Sequence, residues 1–325
     1  MNIRLTHIDG KLPNLALMKL SHWHKSKGDD VYLCRQPYRT PLDINYDLVY
    51  GSSIFIFSHK LVDRLREDYP DVILGGTGIG ISNTIEELIG FEYEKYDYSI
   101  YPQYKFSLGF TARGCRLNCK FCVVPQKEGR PRSVNTIYDI WRGEPHLRNI
   151  VLLDNDFFGQ AREQWQERAK ELIDGKFKVS FNQGINIRLI DDEAADCLSK
   201  LQYYDDQFTT RRLYTAWDNL KDEEIFFRGV DRLEKSGIPP NHLMVYMLIG
   251  YDKTETLDRI FYRFEKMVER RIRPYPMVYN NESKALKEFQ RWVVRRYYEF
   301  IPWNAFTKKN IMIRNPQDLD DIFSV

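Results

Sequence analysis

Long apolar runs are missing from this sequence, and none approaches the roughly 20 residues that a membrane-spanning helix needs. The opening Met1-Asn2-Ile3-Arg4-Leu5-Thr6-His7 also lacks the apolar core of a secretory signal. Cysteine is scarce, five in 325 residues, and three of the five crowd into one short stretch. That pattern argues against a disulfide framework and for a reducing, cytoplasmic setting. No second Cys-x-x-Cys pair is present to complete a zinc finger or ribbon. No Gly-x-Gly-x-x-Gly follows a strand and opens a helix, and no Asp-x-His-x-x-Gly occurs anywhere. Charge of one sign is not in excess either, at a net +2. What is present, 43% hydrophobic and 29% charged residues, describes a globular protein long enough for two domains, or a barrel plus a smaller domain.

The stretch that organises the chain is Arg113-Gly114-Cys115-Arg116-Leu117-Asn118-Cys119-Lys120-Phe121-Cys122. Thiolates so close on a loop begun by glycine can converge on one inorganic centre. A [4Fe–4S] cube normally takes one protein thiolate per iron, so three cysteines leave one iron open to an outside ligand. Zinc held by three thiolates and a histidine is the alternative. The next histidine along is His146, and the spacing favours iron–sulfur.

Residues 1 to about 100 predict a small α/β domain. Strands are expected at 2–6, 31–34, within 48–57 and at 71–74, with helices through Leu15, Met18 and Trp23 and from Lys60 to Glu67. A Gly-rich turn, Gly75-Gly76-Thr77-Gly78, follows the last strand and lets backbone approach a ligand or bend sharply. From about Lys105 the pattern becomes a run of strand–helix units. Strands are predicted at 105–111, 149–153, 177–182, 211–216, 242–249 and 272–278. Helices are predicted near 133–142, 161–174, 191–202, 222–236 and 254–270. Acidic first turns at Asp191-Asp192-Glu193 and Asp222-Glu223-Glu224 support two helix starts, and Gly237 before Pro239-Pro240 is a stop.

The cysteine stretch resembles the signature of the radical S-adenosylmethionine (SAM) superfamily, Cys-x-x-x-Cys-x-aromatic-Cys, with Phe121 as the aromatic residue. The resemblance implies a [4Fe–4S] cluster on Cys115, Cys119 and Cys122, with SAM on the open iron and radical chemistry on a substrate. It implies a partial (βα)6 TIM-type barrel over residues 101–280, ahead of a C-terminal helical extension over 281–325. It also implies an electron donor such as flavodoxin or ferredoxin. Residues 1–100 are similar to the Rossmann-like, cobalamin-binding-type domain of one radical SAM subgroup, in which a Gly-Gly turn lines the cobalamin site. This domain is short and lacks Asp-x-His-x-x-Gly. Two enzyme versions follow: methyl transfer assisted by cobalamin, and hydrogen abstraction without it. The methylthiotransferases carry three further N-terminal cysteines, whereas only Cys34 stands in this region.

In such barrels ligands gather at the C-terminal ends of strands. Asp154-Asn155-Asp156 suit a SAM amino group or substrate. Gln183 and Asn186 suit ribose hydroxyls, and Arg188 suits a carboxylate, which guanidinium binds bidentately. Asp218 follows the fourth strand. The resemblance puts adenine against Ile249 and Gly250. Each of these residues taken singly also reads as a capped strand end or a satisfied core polar group. From Arg113 to Arg132 six basic residues face one acid, Glu128, a field that favours a reduced cluster, although ordinary loop scaffolding explains most of them.

Between Arg270 and Arg314 eleven Lys or Arg stand against three Glu, a local excess of +8, so the remainder of the chain carries −6. At helical pitch Leu286, Phe289, Val293, Tyr297 and Phe300 form one face, and Lys284, Lys287, Arg291 and Arg295 the opposite one. Such a basic stripe is the electrostatic footprint of a nucleic-acid binder, or simply a solvated helix surface. Asp318, Asp320 and Asp321 form an acidic tail, and Cys34 and Cys197 are expected to be buried. A competing, non-catalytic reading is a zinc-stabilised nucleic-acid-binding protein.

Overall fold

The computed structural model describes residues 1–80, 83–91, 93–279 and 283–308. Arg314 and the acidic tail at Asp318, Asp320 and Asp321 lie outside the described residues. The chain divides into two units, residues 1–109 with 117–129 and 144–147, and residues 110–116 with 130–143 and 148–325. No helix among the described residues is long and apolar enough to cross a membrane.

The first unit alternates strand and helix in the predicted order: β1 (Asn2–His7), α1 (Leu15–Ser26), β2 (Asp30–Cys34), β3 (Leu48–Ser52), α2 (His59–Asp68), β4 (Ile73–Gly75), α3 (Ile85–Ile89) and β5 (Ser107–Gly109). Four strands form one parallel sheet in the order β2-β1-β3-β4, with Leu5 opposite both Leu33 and Tyr50. Apolar side chains cover both faces: Ile3, Leu5, Leu17 and Leu20 form one buried cluster, Ile8, Val62, Leu65 and Leu74 another. This two-sided burial is what a parallel sheet requires. Asn14 Oδ1 caps α1 by accepting from the Leu17 N–H at 3.1 Å, while its Nδ2 donates to Ser52 Oγ at 2.8 Å. After β4 the chain must turn beside the loop that leaves β3. Gly76 has φ +97°, and a Cβ there would stand 2.3 Å from the Ser53 carbonyl oxygen. Only glycine fits.

The chain continues through β6 (Ala112–Arg113), α4 (Val124–Lys127), β7 (Arg132–Ser133), α5 (Ile137–Ile140), β8 (Asn149–Leu152), α6 (Arg162–Asp174), β9 (Lys178–Phe181), α7 (Asp192–Lys200) and β10 (Gln202–Tyr203). Then come β11 (Leu213–Ala216), α8 (Glu223–Lys235), β12 (Leu243–Ile249), α9 (Leu257–Glu269), β13 (Arg273–Val278), α10 (Lys284–Val294) and α11 (Trp303–Lys308). Of these, α4 falls in the first unit. In the second unit β10-β9-β8 and β11-β12-β13 run parallel in those orders, and β6 pairs antiparallel with β7. Beyond the end of β9, Ile185 donates its N–H to the Tyr214 carbonyl at 2.7 Å and accepts from Thr215 Oγ1 at 2.9 Å, joining that segment to β11.

The helices pack by period. In α9 the buried residues are Ile260, Arg263, Phe264 and Met267, and in α8 Phe226, Gly229, Val230 and Leu233. Arg263 is wholly buried in this layer. It donates to the carbonyls of Trp217 and Leu248 at 2.8 and 3.0 Å and to Glu255 Oε1 at 2.6 Å, tying the ends of β11 and β12 together.

At the C-terminal end Phe289, Trp292, Val293, Ile301 and Phe306 are buried in the core of the second unit. One expectation changes there: the single helical face from Leu286 to Phe300 is broken. α10 stops at Val294, Arg296 takes the left-handed conformation at φ +60°, and a 3-10 turn covers Tyr297–Glu299. Phe300 stays 58% exposed, while Trp292 turns inward and donates Nε1–H to the Ile301 carbonyl at 2.7 Å. Lys284, Lys287, Arg291 and Arg295 are all exposed, as the period predicts.

Candidate active site

Gly114, at φ +89°, turns the chain out of β6 and into the cysteine stretch. Cys115 belongs to the second unit, and Phe121, Cys119 and Cys122 to the first. The Cys119 carbonyl accepts from the Cys122 N–H at 2.9 Å, forming a turn that runs into α4, where Pro125 stands in the first turn and needs no donor. Lys127, at the end of α4, donates Nζ to Thr77 Oγ1 at 2.9 Å, within the Gly-rich turn after β4. None of the five cysteines is in a disulfide, and all five, Cys34 and Cys197 included, are half-buried. Burial pushes the Cys197 thiol up to about 11, so it is a poor thiolate. Among the described residues no group of three or more His, Cys, Asp or Glu stands so as to hold one metal ion.

The chain after β8 carries two carboxylates, both engaged by the protein. Asp154, 3% exposed, accepts from the Thr111 N–H at 2.7 Å and from Thr111 Oγ1. Burial pushes its carboxyl up to about 7, against those bonds, one from Ala112 N–H and the Arg113 charge. A carboxyl held there can keep or release a proton near neutrality. Asp156, 1% exposed, takes three bonds from Arg116, at 3.1 Å from its main-chain N, 2.8 Å from Nε and 2.9 Å from Nη2. Gln160, buried beside them, accepts from Ser133 Oγ at 2.7 Å and donates to the Phe157 carbonyl at 3.0 Å. Asn155 is half-buried.

After β9, Gln183 is exposed. Asn186 precedes a 3-10 turn at Ile187–Leu189, and its Nδ2 is buried without an acceptor among the described residues. Arg188 Nη1 bonds Asp222 Oδ2 at 2.9 Å. Asp218, after β11, accepts from the Leu248 N–H at 2.9 Å. Burial raises its carboxyl, opposed by that bond and by the Arg263 and Arg188 charges. Ile249 is fully buried in the hydrophobic core, and its carbonyl accepts from the Tyr279 N–H at 2.9 Å. Gly250 has φ +79°, the left-handed region that favours glycine, and a Cβ there would meet the end of the Leu286 side chain at 2.7 Å.

Several residues that sequence reasoning passed over share these strand ends. Thr111, Asp222, Glu255 and Arg263 bond the predicted residues, and Gln160 bonds Thr111. Ser180 is another, wholly buried with no partner for Oγ among the described residues. Alternation could have found it: Val179 and Phe181 face the core, which puts Ser180 on the other side of β9. Arg263 and Glu255 gave no such signal, because a buried ion pair inside an amphipathic helix pattern reads as surface charge.

The donor set suits a cluster. Three thiols outside any disulfide lie within eight positions, and Ser180 Oγ and Asn186 Nδ2 are buried polar atoms that still need partners. No protein-family model matches the chain, and no curated protein resembles it significantly.

Proposed function

We propose that the protein is a radical SAM enzyme, built from a Rossmann-like, cobalamin-binding-type domain and a partial (βα)6 barrel. The observation that carries this reading is Cys115-x-x-x-Cys119-x-Phe121-Cys122, begun by a left-handed Gly114 and followed by five parallel strand–helix units. When bound, a reduced [4Fe–4S] cluster with SAM supplies one electron to the sulfonium, which yields methionine and a 5′-deoxyadenosyl radical able to take a hydrogen atom from substrate.

The residues of this chain have the following roles. Cys115, Cys119 and Cys122 hold the metal. The Asp156–Arg116 pair fixes the main chain next to Cys115. Asn186 Nδ2 receives a hydroxyl oxygen, and the Arg188 guanidinium faces the carboxylate. Asp154 holds a proton near neutrality beside Thr111. Ile249 and Gly250 supply a close-packed wall and a carbonyl already bonded to Tyr279, which leaves them a steric role. An external electron donor of the flavodoxin or ferredoxin class and a cytoplasmic setting complete the reading. The Gly75-Gly76 turn after β4 supports a cobalamin-assisted methyl transfer as the second version.

Anaerobic incubation of the reduced protein with SAM tests the reading. Methionine and 5′-deoxyadenosine should form in equal amounts, and Cys119→Ala should abolish both. SAM left intact by fully reduced, iron-loaded protein would overturn it. Cobalamin retained through gel filtration after reconstitution would select the methyl-transfer version.

A further inference from the structure

One face of the β11-β12-β13 sheet joins the core, through Leu213, Leu243, Val245 and Met247. The other face is half-open. Register places Tyr214, Met244 and Arg273 side by side on it, with Ala216, Tyr246 and Tyr275 in the next row. Arg212, two residues before Tyr214, shares this face at its lower edge. Neighbouring strands are about 4.8 Å apart, so Arg212, just before β11, and Arg273, at the start of β13, flank the β12 strand within reach of one ligand.

Both arginines are half-buried and short of partners. Arg273 makes no hydrogen bond or ion pair among the described residues, and Arg212 donates only to the Asn241 carbonyl, at 3.1 Å. Burial first, and then the charges of Arg273 and Arg296, lower the Arg212 pKa, against the opposing effect of Asp205. Of the acids nearby, Asp205 accepts from the Thr209 and Thr210 N–H groups and keeps its charge, and Glu299 pairs with Arg296 at 2.6 Å. Asp206 is the remaining carboxylate whose charge reaches Tyr214 and Tyr246. Above the arginines the rings form a row, Tyr214 stacked on Tyr246 at 6.0 Å and Tyr246 edge-on to Tyr275 at 5.5 Å. The Tyr246 and Tyr275 hydroxyls have no hydrogen-bond partner among the described residues.

We propose that this face binds single-stranded nucleic acid, with Arg212 and Arg273 on a backbone phosphate and Tyr246 and Tyr275 against the adjoining base. Guanidinium pairs match phosphate oxygens, and tyrosine rings with open hydroxyls take an unstacked base by stacking and hydrogen bonding. Arg291 and Arg295 are exposed towards the end of α10, and the charge of Arg296, just after them, reaches Arg212; a strand uses such added charge and a lone nucleotide does not. The site stands on its own residues, so its failure leaves the iron–sulfur reading untouched.

The test is fluorescence anisotropy with a labelled 12-nucleotide single-stranded RNA and the full chain, without SAM, across a salt series. Arg212→Gln with Arg273→Gln should weaken binding tenfold or more and flatten the log-affinity against log-salt slope by roughly 0.7 to 1.4. The matching pair of Arg→Lys changes should restore the slope, which separates lost charge from lost fold. Tyr246→Phe with Tyr275→Phe, which keeps the rings, should weaken binding about threefold. The proposal is overturned if the wild-type chain does not bind, if the glutamine pair binds with unchanged affinity and slope, or if AMP competes as well as the strand.

Discussion

Arg116 directs three N–H groups at one carboxylate, that of Asp156: its main-chain nitrogen at 3.1 Å, Nε at 2.8 Å and Nη2 at 2.9 Å. The residue next to Cys115 is therefore fixed at both backbone and side chain by a group that is 1% exposed. The sequence suggests Asp156 for a SAM amino group or for substrate; in the structure its carboxylate holds Arg116, next to Cys115.

Removing that anchor should loosen the stretch before it changes any ligand contact. Asp156→Ala is expected to cost roughly 2–3 kcal/mol, less than the ~3–5 of a fully buried pair, because the Arg116 side chain keeps 33% of its exposure. Urea unfolding measures this, and Asp156→Asn should fall between the two. A loss below ~0.5 kcal/mol for the alanine variant, the range of an ordinary surface change, would show that the pair anchors nothing.

His7 should make the first unit sensitive to mild acid. Its ring is 1% exposed, Nδ1 pairs with Tyr101 OH at 2.9 Å, and Nε2 has no partner among the described residues. Burial and then the Arg35 charge lower its pKa from 6.5 to about 4. The unfolded chain thus takes up the proton first, and stability falls as pH drops from about 6.5 towards 4. The expected loss between pH 7.5 and 4.5 is roughly 2–3 kcal/mol. His7→Leu should flatten that part of the pH–stability curve, whatever its effect at pH 7.5. An unaltered slope in the variant would assign the acid sensitivity elsewhere.

Asp154 carries the opposite sign. Burial first, and only then the opposing bonds, leaves its carboxyl at about 7, so the folded protein holds that proton more tightly than the unfolded chain. Its contribution is present at low pH and is lost as pH rises towards 7. Asp154→Asn keeps an acceptor for the Thr111 N–H and a donor for Thr111 Oγ1. Relative to wild type it should gain roughly 2 kcal/mol between pH 5 and pH 8. Denaturant unfolding at the two pH values checks this, and a constant difference would refute the raised carboxyl.

Much of the architecture was readable from hydrophobic period. The strands predicted at 149–153, 177–182, 211–216, 242–249 and 272–278 stand at Asn149–Leu152, Lys178–Phe181, Leu213–Ala216, Leu243–Ile249 and Arg273–Val278, because apolar runs bounded by Gly, Pro and acidic caps leave little choice. Partnership was not readable. Asp154 pairs with Thr111 and Asp156 with Arg116, some forty positions away, and Arg188 with Asp222. A strand-end carboxylate looks the same in sequence whether it awaits a ligand or already holds one. The C-terminal face failed for a local reason: a left-handed Arg296 breaks a helix that the apolar pitch continues through. Position in sequence also hid the division of the cysteine stretch, with Cys115 in one unit and Cys119 and Cys122 in the other.

The measurement that bears most directly on the central claim is iron, acid-labile sulfide and zinc in protein purified without oxygen. The radical SAM reading requires about four iron and four sulfide per chain, a brown chromophore, and loss of all three in Cys119→Ala. One zinc per chain with no sulfide and no colour would contradict it, and would leave the three cysteines a structural metal site instead.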